Sequence, residues 1–518
     1  MKKIKFPRVK RLLRRRIFVI FLLAVQLLAF LLLLADSSTR SKVIEAALIV
    51  FSVVVALFII GREDNSDYKL TWVTIILIGQ LFGGMFYLLF RAQSREKKLR
   101  ALIDEKDGKA AVYLRAEDDE SVLESFRASW PQHISCAAYL HSVGYPLYAG
   151  EDVKYFSDGE SMFGSMLGDM EEAKRSIYIE TFIIGPGEVW DRMLGIMRRK
   201  AGEGLDVRLI YDDIGSFLRL PEDDIKDLEK SGIKVACYHP FTPFWSMLQN
   251  NRDHRKITVI DGEIAYTGGV NIADEYINRV RRFGRWKDAG IRLTGSAVRS
   301  FAVMYLRMWE TIADSDEDWA GAYGDISAGG EVKADGGFII PYDDSPLDRE
   351  QVSENIYLKI ISGAKDYLYI ETPYLIPDEI LIRALTVSAR SGVDVRIITP
   401  HIPDKKFTFM TTRSFYPQLV KAGVRIYEYT PGFNHSKVMV ADGEIANVGT
   451  ANLDFRSLYL HYECGAVAVG GEVPERIRED FLATLGECEL IGADHPLCAD
   501  TLRNRLKRPI CHLLAPLL

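Results

Sequence analysis

The 24 residues from Asn434 to Ser457 (NHSKVMVADGEIANVGTANLDFRS) have a counterpart at Asp253 to Tyr276 (DHRKITVIDGEIAYTGGVNIADEY). Both carry the pattern His-x-Lys-x-x-x-x-Asp, as His254, Lys256 and Asp261 and as His435, Lys437 and Asp442. Gly268, Gly269 and Asn271 answer to Gly449, Thr450 and Asn452, and each histidine precedes its asparagine by 17 positions. Copies 181 residues apart with identical internal spacing imply an internal duplication, so the chain needs two equivalent scaffolds to hold them.

The surroundings repeat as well. Ala173-Lys174-x-x-Ile177-Tyr178-Ile179-Glu180-Thr181 reappears 191 positions later as Ala364-Lys365-x-x-Leu368-Tyr369-Ile370-Glu371-Thr372. Gly204-x-Asp206-Val207-Arg208 reappears after 188 positions, and SGIKVACY returns after 191 as AGVRIYEY. Within each repeat, β-rich apolar runs alternate with stretches of helical spacing, which predicts a mainly parallel sheet covered by helices on both faces. The expected fold class is α/β, with two tandem α/β/α domains packed as a pseudo-twofold pair. The boundaries fall at 133–322 and 337–518, with acidic and glycine-rich residues 323–336 as the connection and the charged stretch 101–132 as a linker with some helix before them.

Residues 1–100 differ in character. Ile17 to Leu34, Val43 to Ile60 and Thr71 to Phe90 are apolar runs of membrane-spanning length, the second interrupted by Glu45 and Ser52. Two or three transmembrane helices are expected. Nine basic residues and no acid among the first 16, with a second basic cluster at Arg91 to Arg100, favour the cytoplasm for both ends of this region. The expected location is the cell membrane, multi-pass, with a cytoplasmic catalytic region. The last residues, Leu502 to Leu518, mix Arg503, Arg505, Lys507 and Arg508 with a closing LLAPLL, the makeup of an amphipathic tail.

After position 100 the chain holds 47 basic and 65 acidic residues, a balance of −18. Such a surface lacks the positive footprint that phosphate-backbone binding requires, which argues against a nucleic-acid partner. The six cysteines form no CxxC pair and no metal-like grouping, so neither metal nor cofactor is expected.

Histidine and lysine at i and i+2 on a strand point to one face, where both meet the same substrate group. Two copies bring two imidazoles, two ammonium groups and two carboxamides (Asn271 and Asn452) to one cleft, with no accompanying thiol or serine nucleophile. That set suits phosphodiester transfer in two steps. One histidine attacks phosphorus while the other protonates the leaving alcohol and later deprotonates the incoming one. Lysines and asparagines offset the charge on the phosphoryl oxygens. Asp261 and Asp442, each followed by Gly-Glu-Ile, read as turn or salt-bridge residues before catalytic ones.

The two motifs resemble those of the phospholipase D superfamily. RDHRKITVIDG, YTGGVNIADEY, WKDAGIRLTG, GGFIIPYDDSPLD, LYIETPYLIPD and the second motif resemble one branch, the bacterial cardiolipin synthases, over nearly the whole chain. The resemblance implies conversion of two phosphatidylglycerol molecules to cardiolipin and glycerol. Catalytic roles then fall on His254, Lys256, Asp261, His435, Lys437 and Asp442, and substrate binding on Gly269, Asn271, Thr450 and Asn452. Asp288 and Glu463 become the acids that orient the imidazoles, and His254 becomes the nucleophile. A hydrolase, or a transferase using another acceptor headgroup, is the alternative. His461 stands where that family commonly carries asparagine, which adds an imidazole to the expected cleft.

Overall fold

The structure, a computed structural model, describes residues 38–518 apart from 64, 80–82, 85–86, 88–93, 116–119, 217–218, 221, 239–249, 314, 318, 320–336 and 349. The first apolar run and the 323–336 connection therefore lie outside the described residues.

Each half is built on one sheet. In the first half, strands Ser176–Thr181, Asp206–Asp212 and Lys234–Tyr238 are parallel and separated by helices Glu188–Gly202 and Glu222–Lys230. The second half repeats this with Tyr367–Glu371, Asp394–Pro400 and Arg425–Tyr429, separated by helices Glu379–Arg390 and Lys406–Ala422. The central strands are buried along their length because helices cover both faces, which is why they read as unbroken apolar runs.

The expectation of a mainly parallel sheet holds only for these strands. Each motif forms a hairpin, Ile257–Ile260 with Ile264–Gly268 and Val438–Ala441 with Ile445–Gly449, which joins its sheet antiparallel to the first parallel strand. Further antiparallel strands follow, so each sheet is mixed, with order 152–156, 290–294, 264–268, 257–260, 176–181, 206–212, 234–238 in the first half. The hairpin turns are tight. Asp261 and Asp442 adopt left-handed backbones with φ of 54° and 56°, a conformation that aspartate tolerates better than most residues.

The halves are interleaved. Strand Tyr148–Ala149 leaves the first half to pair with Phe338–Asp344 of the second sheet. Residues 101–132, which read as a linker, include most of helix Ser94–Arg115 and all of helix Glu120–Ser129. The first is tied to helix Val298–Ala313 by Lys106 and Lys109 on Glu310 and by Asp107 on Arg307. The second inserts Phe126, fully buried, against Phe338.

Of the N-terminal runs, Thr39–Ile60 is one helix of 22 residues with mean hydropathy 3.0 across its most apolar window. It alone among the described residues is long and apolar enough to cross a membrane. Its Ser52 is buried beside Gly84, and Val55, Ala56 and Ile59 pack with Trp72, Ile76 and Tyr87. The start of the third run belongs to the 13-residue helix Ser66–Ile78, capped by Asn65, whose side chain also donates to Tyr459 Oη at 2.9 Å. Thr71 Oγ1 donates to the Leu513 carbonyl at 2.7 Å, which fastens the apolar hairpin to the C-terminal helix Leu502–Leu514.

Candidate active site

Reciprocal strand pairing between the halves builds the site. The residues just before His254 form strand Arg252–Asp253, which runs parallel to His461 and Tyr462 of the second half. The residues before His435 form strand Gly432–Asn434, parallel to Arg285–Lys287 of the first half. The His254 amide donates to the Tyr462 carbonyl at 3.0 Å, and the His435 amide to the Lys287 carbonyl at 2.7 Å. Each histidine backbone is therefore fixed by the strand of the opposite half, one residue before that half's acid.

The side chains cross accordingly. His254 Nδ1 lies 2.9 Å from Glu463 Oε2 and 3.0 Å from Oε1, while His435 Nδ1 lies 2.7 Å from Asp288 Oδ2. An acid on Nδ1 keeps the proton there and presents the Nε2 lone pair for chemistry. Both acids are fully buried. Thr450 Oγ1 donates to Glu463, and Trp286 Nε1 and the Ala289 amide donate to Asp288.

The lysines lie on the same faces, two residues on. Lys256 Nζ donates to the His254 carbonyl and Lys437 Nζ to the His435 carbonyl. All four side chains feel one another: burial lowers the His254 pKa well below its ordinary value, helped by Lys256, Lys437 and His435. Burial, with Lys437 second, brings His435 down to about 4 against the pull of Asp288. Burial likewise brings Lys256 down to about 8 and Lys437 to about 7. Burial also raises the Asp288 carboxyl, but His435 and Lys437 outweigh it and hold it below the usual carboxylate range. The free cleft thus holds neutral imidazoles beside ammonium groups whose charge is uncomfortable without an anion.

The remaining predicted residues are placed differently from expectation. Asp261 and Asp442 are not beside the imidazoles. Asp261 accepts the amides of Lys174, Arg175 and Ser176, and Asp442 those of Lys365, Asp366 and Tyr367, tying each hairpin turn to the start of its neighbouring strand. The catalytic role that the resemblance implied for them is therefore corrected: both carboxylates are spent on these turn contacts, in line with the turn reading of Asp-Gly-Glu-Ile. Gly269 and Thr450, expected at the substrate, serve the acids. A Cβ on Gly269 would stand 2.0 Å from Asp288 Oδ1, and the equivalent Thr450 spends its hydroxyl on Glu463. Asn271 accepts the Ile183 amide at 3.1 Å and donates to Tyr276 Oη at 2.8 Å. Asn452 donates to Asp454 and keeps a buried carbonyl oxygen without a partner, available to a ligand.

Several supports escaped sequence reading. Arg255, between the first motif's histidine and lysine, is fully buried and binds Glu180 at 2.5 Å, Asp343 at 3.0 Å and Asp253 at 3.3 Å. The second motif has Ser436 there, and Glu371, the counterpart of Glu180, accepts from Asn434 at 2.9 Å. A glutamate inside both copies of a buried apolar strand was the available signal, since a buried carboxylate needs a partner.

Two imidazoles, each oriented by an acid from the opposite half and flanked by a lysine, define an enzyme of the phospholipase D superfamily. The model of the family described as "Cardiolipin synthase, PLD-like domain" matches residues 166–281 and 357–485. A cardiolipin synthase from Geobacillus sp. (strain WCH70) is 33% identical over 514 residues, 96% of this chain and 99% of that one. An uncharacterized protein of Streptococcus mutans is 40% identical over 463 residues, 89% of this chain and 99% of its own. The chain belongs to the cardiolipin synthase family. The crystal structure of phosphatidylserine synthase from Haemophilus influenzae shares the fold, with a TM-score of 0.56 at 13% identity, covering 74% of this chain and 98% of that one.

Proposed function

We propose that this chain transfers a phosphatidyl group from one phosphatidylglycerol to another, giving cardiolipin and glycerol, in a cleft held against the bilayer. The observation that carries the reading is the crossed pair of acid-oriented imidazoles between two lysines. His254 Nε2 attacks phosphorus, and the glycerol oxygen departs with a proton from His435, leaving a phosphohistidine. The terminal hydroxyl of a second phosphatidylglycerol then gives its proton to His435 and attacks phosphorus, which frees His254. Lys256 and Lys437 offset the charge on the phosphoryl oxygens, and the bound anion in turn allows His435 to carry the proton it delivers.

Membrane anchorage is supported by the apolar face of Thr39–Ile60, where Val43, Val50, Val54 and Leu57 are exposed. The C-terminal helix, joined to this hairpin, exposes Leu502, Leu506 and Ile510 at fourfold spacing between Arg503, Arg505 and Lys507, a face suited to an anionic leaflet. Basic clusters at both ends of the N-terminal region support an even number of spans, two, with the catalytic region in the cytoplasm, which protease accessibility in sealed vesicles tests; three spans would place that region on the opposite side.

The defining experiment is product analysis of the purified protein with phosphatidylglycerol alone. Cardiolipin and glycerol should appear in equal amounts. Phosphatidic acid with little cardiolipin would make the chain a hydrolase instead.

A further inference from the structure

His461 belongs to neither repeated motif. It opens strand His461–Val469, two residues before Glu463, so both side chains point to one face. Its ring is 7% exposed, its centroid lies 5.4 Å from that of His254, and neither ring nitrogen has a hydrogen-bond partner. Nδ1 stands 3.6 Å from Glu463 Oε1, beyond hydrogen-bond length, while Glu463 is already engaged by His254 and Thr450. A buried polar group without a partner points to a missing ligand.

The first half supplies an internal comparison. Trp286 precedes Asp288 by two residues, as His461 precedes Glu463, and its ring lies 5.2 Å from His435. Its indole N–H donates to Asp288 at 3.3 Å, so that position is satisfied. An indole has only a donor, whereas an imidazole also offers a lone pair. The asymmetry therefore gives the His254 side alone a third electron-pair donor.

One donor atom each from His254, His461 and Glu463 fall within 4.8 Å of one another. We propose that these three residues form a site for a divalent cation of the zinc class, and that filling it switches the enzyme off. Two imidazoles and a carboxylate are a donor set that suits that class. Nδ1 is the His254 nitrogen that faces Glu463. Coordination there moves the ring proton to Nε2, which then has no lone pair with which to attack phosphorus or accept a proton. Removing the cation with a chelator restores the original tautomer. The site stands on geometry alone; its inhibitory effect rests on the transfer reading above.

The test uses full-length protein in detergent, stripped with chelator and titrated with Co2+ while its visible absorption is followed. One equivalent should bind and be displaced by Zn2+. His461→Asn and His461→Gln should each weaken binding by more than about tenfold, the loss that even outer-shell partners of a metal cause. Thermal melting identifies which variant is folded. In the cardiolipin assay, Zn2+ should inhibit the wild type reversibly and inhibit the variants' remaining activity only at higher concentration. Failure to bind one equivalent, or equal affinity in a folded variant, overturns the site. Binding without inhibition overturns the switch. Absence of any transfer with phosphatidylglycerol refutes the proposed function, while the Co2+ titration still decides the site.

Discussion

His435 Nδ1 lies 2.7 Å from Asp288 Oδ2, although 147 residues and the boundary between the two halves separate them. His254 and Glu463 make the reciprocal pair. Neither half holds a complete imidazole–acid unit, so neither folded alone has an acid-oriented histidine.

Crossing predicts which substitutions share a defect. Asp288→Asn and Glu463→Gln should each lower kcat by about 10²- to 10⁴-fold with little change in melting temperature. In double-mutant cycles, Glu463→Gln should be non-additive with His254→Ala and Asp288→Asn with His435→Ala. Covalent labelling by phosphatidylglycerol carrying a labelled phosphate, quenched in denaturing detergent at alkaline pH where a phosphohistidine survives, should fail in the His254 and Glu463 variants. Coupling of each acid to the histidine of its own half would refute the arrangement.

The lysine values set the alkaline limb of the pH profile. With folded-state pKa values of about 7 for Lys437 and about 8 for Lys256, the cleft loses positive charge as pH rises through that range. kcat/KM, which reports the free enzyme, should fall above pH 7 to 8, approaching about tenfold per unit. Bound phosphodiester stabilises both ammonium groups, so the fall in kcat should lie at higher pH. A kcat/KM that stays flat to pH 10 contradicts the assignment.

Gly269→Ala should disable catalysis without unfolding the protein. The new methyl group would occupy the place of Asp288 Oδ1, and kcat should drop by about 10²-fold as His435 loses its orientation. Gly164→Ala, within helix Gly159–Glu172 and with no atom within 4 Å of the added carbon, is the comparison. It should leave kcat unchanged and stabilise by about 0.5–1 kcal/mol. Melting curves alongside steady-state rates distinguish the two outcomes.

Asp261→Ala and Asp442→Ala should act on stability. Each removes an acceptor for three amides and places alanine at positive φ, for a loss of about 1–3 kcal/mol or more. Activity per folded molecule should remain near wild type. A folded variant whose kcat has collapsed would return these residues to the chemistry.

The C-terminal helix should matter only when substrate lies in a bilayer. Leu506→Glu with Ile510→Glu should reduce turnover of phosphatidylglycerol in vesicles, while turnover of a dispersed short-chain analogue is kept. Equal activity of variant and wild type on vesicles would remove this helix from the membrane face.

Asp288 and Glu463 were implied by the family resemblance; the sequence by itself determined the duplication, the alternation of strands and helices, and the identities of the histidines and lysines. These are legible because they follow from local periodicity and from spacing repeated along one chain. It also carried the second apolar run, now helix Thr39–Ile60, since hydropathy over some twenty residues is a local property. Only the tertiary structure decided which acid serves which histidine, because reciprocal pairing of Arg252–Asp253 with His461 and Tyr462, and of Gly432–Asn434 with Arg285–Lys287, joins residues distant in the chain. It likewise moved Asp261, Asp442, Gly269 and Thr450 from chemistry to support, and turned the charged stretch 101–132 from a linker into packed helices. The physical reason is common to all of these: motif spacing fixes which residues recur, but a buried polar group's role is set by the partner that satisfies it, and that partner comes from elsewhere in the fold.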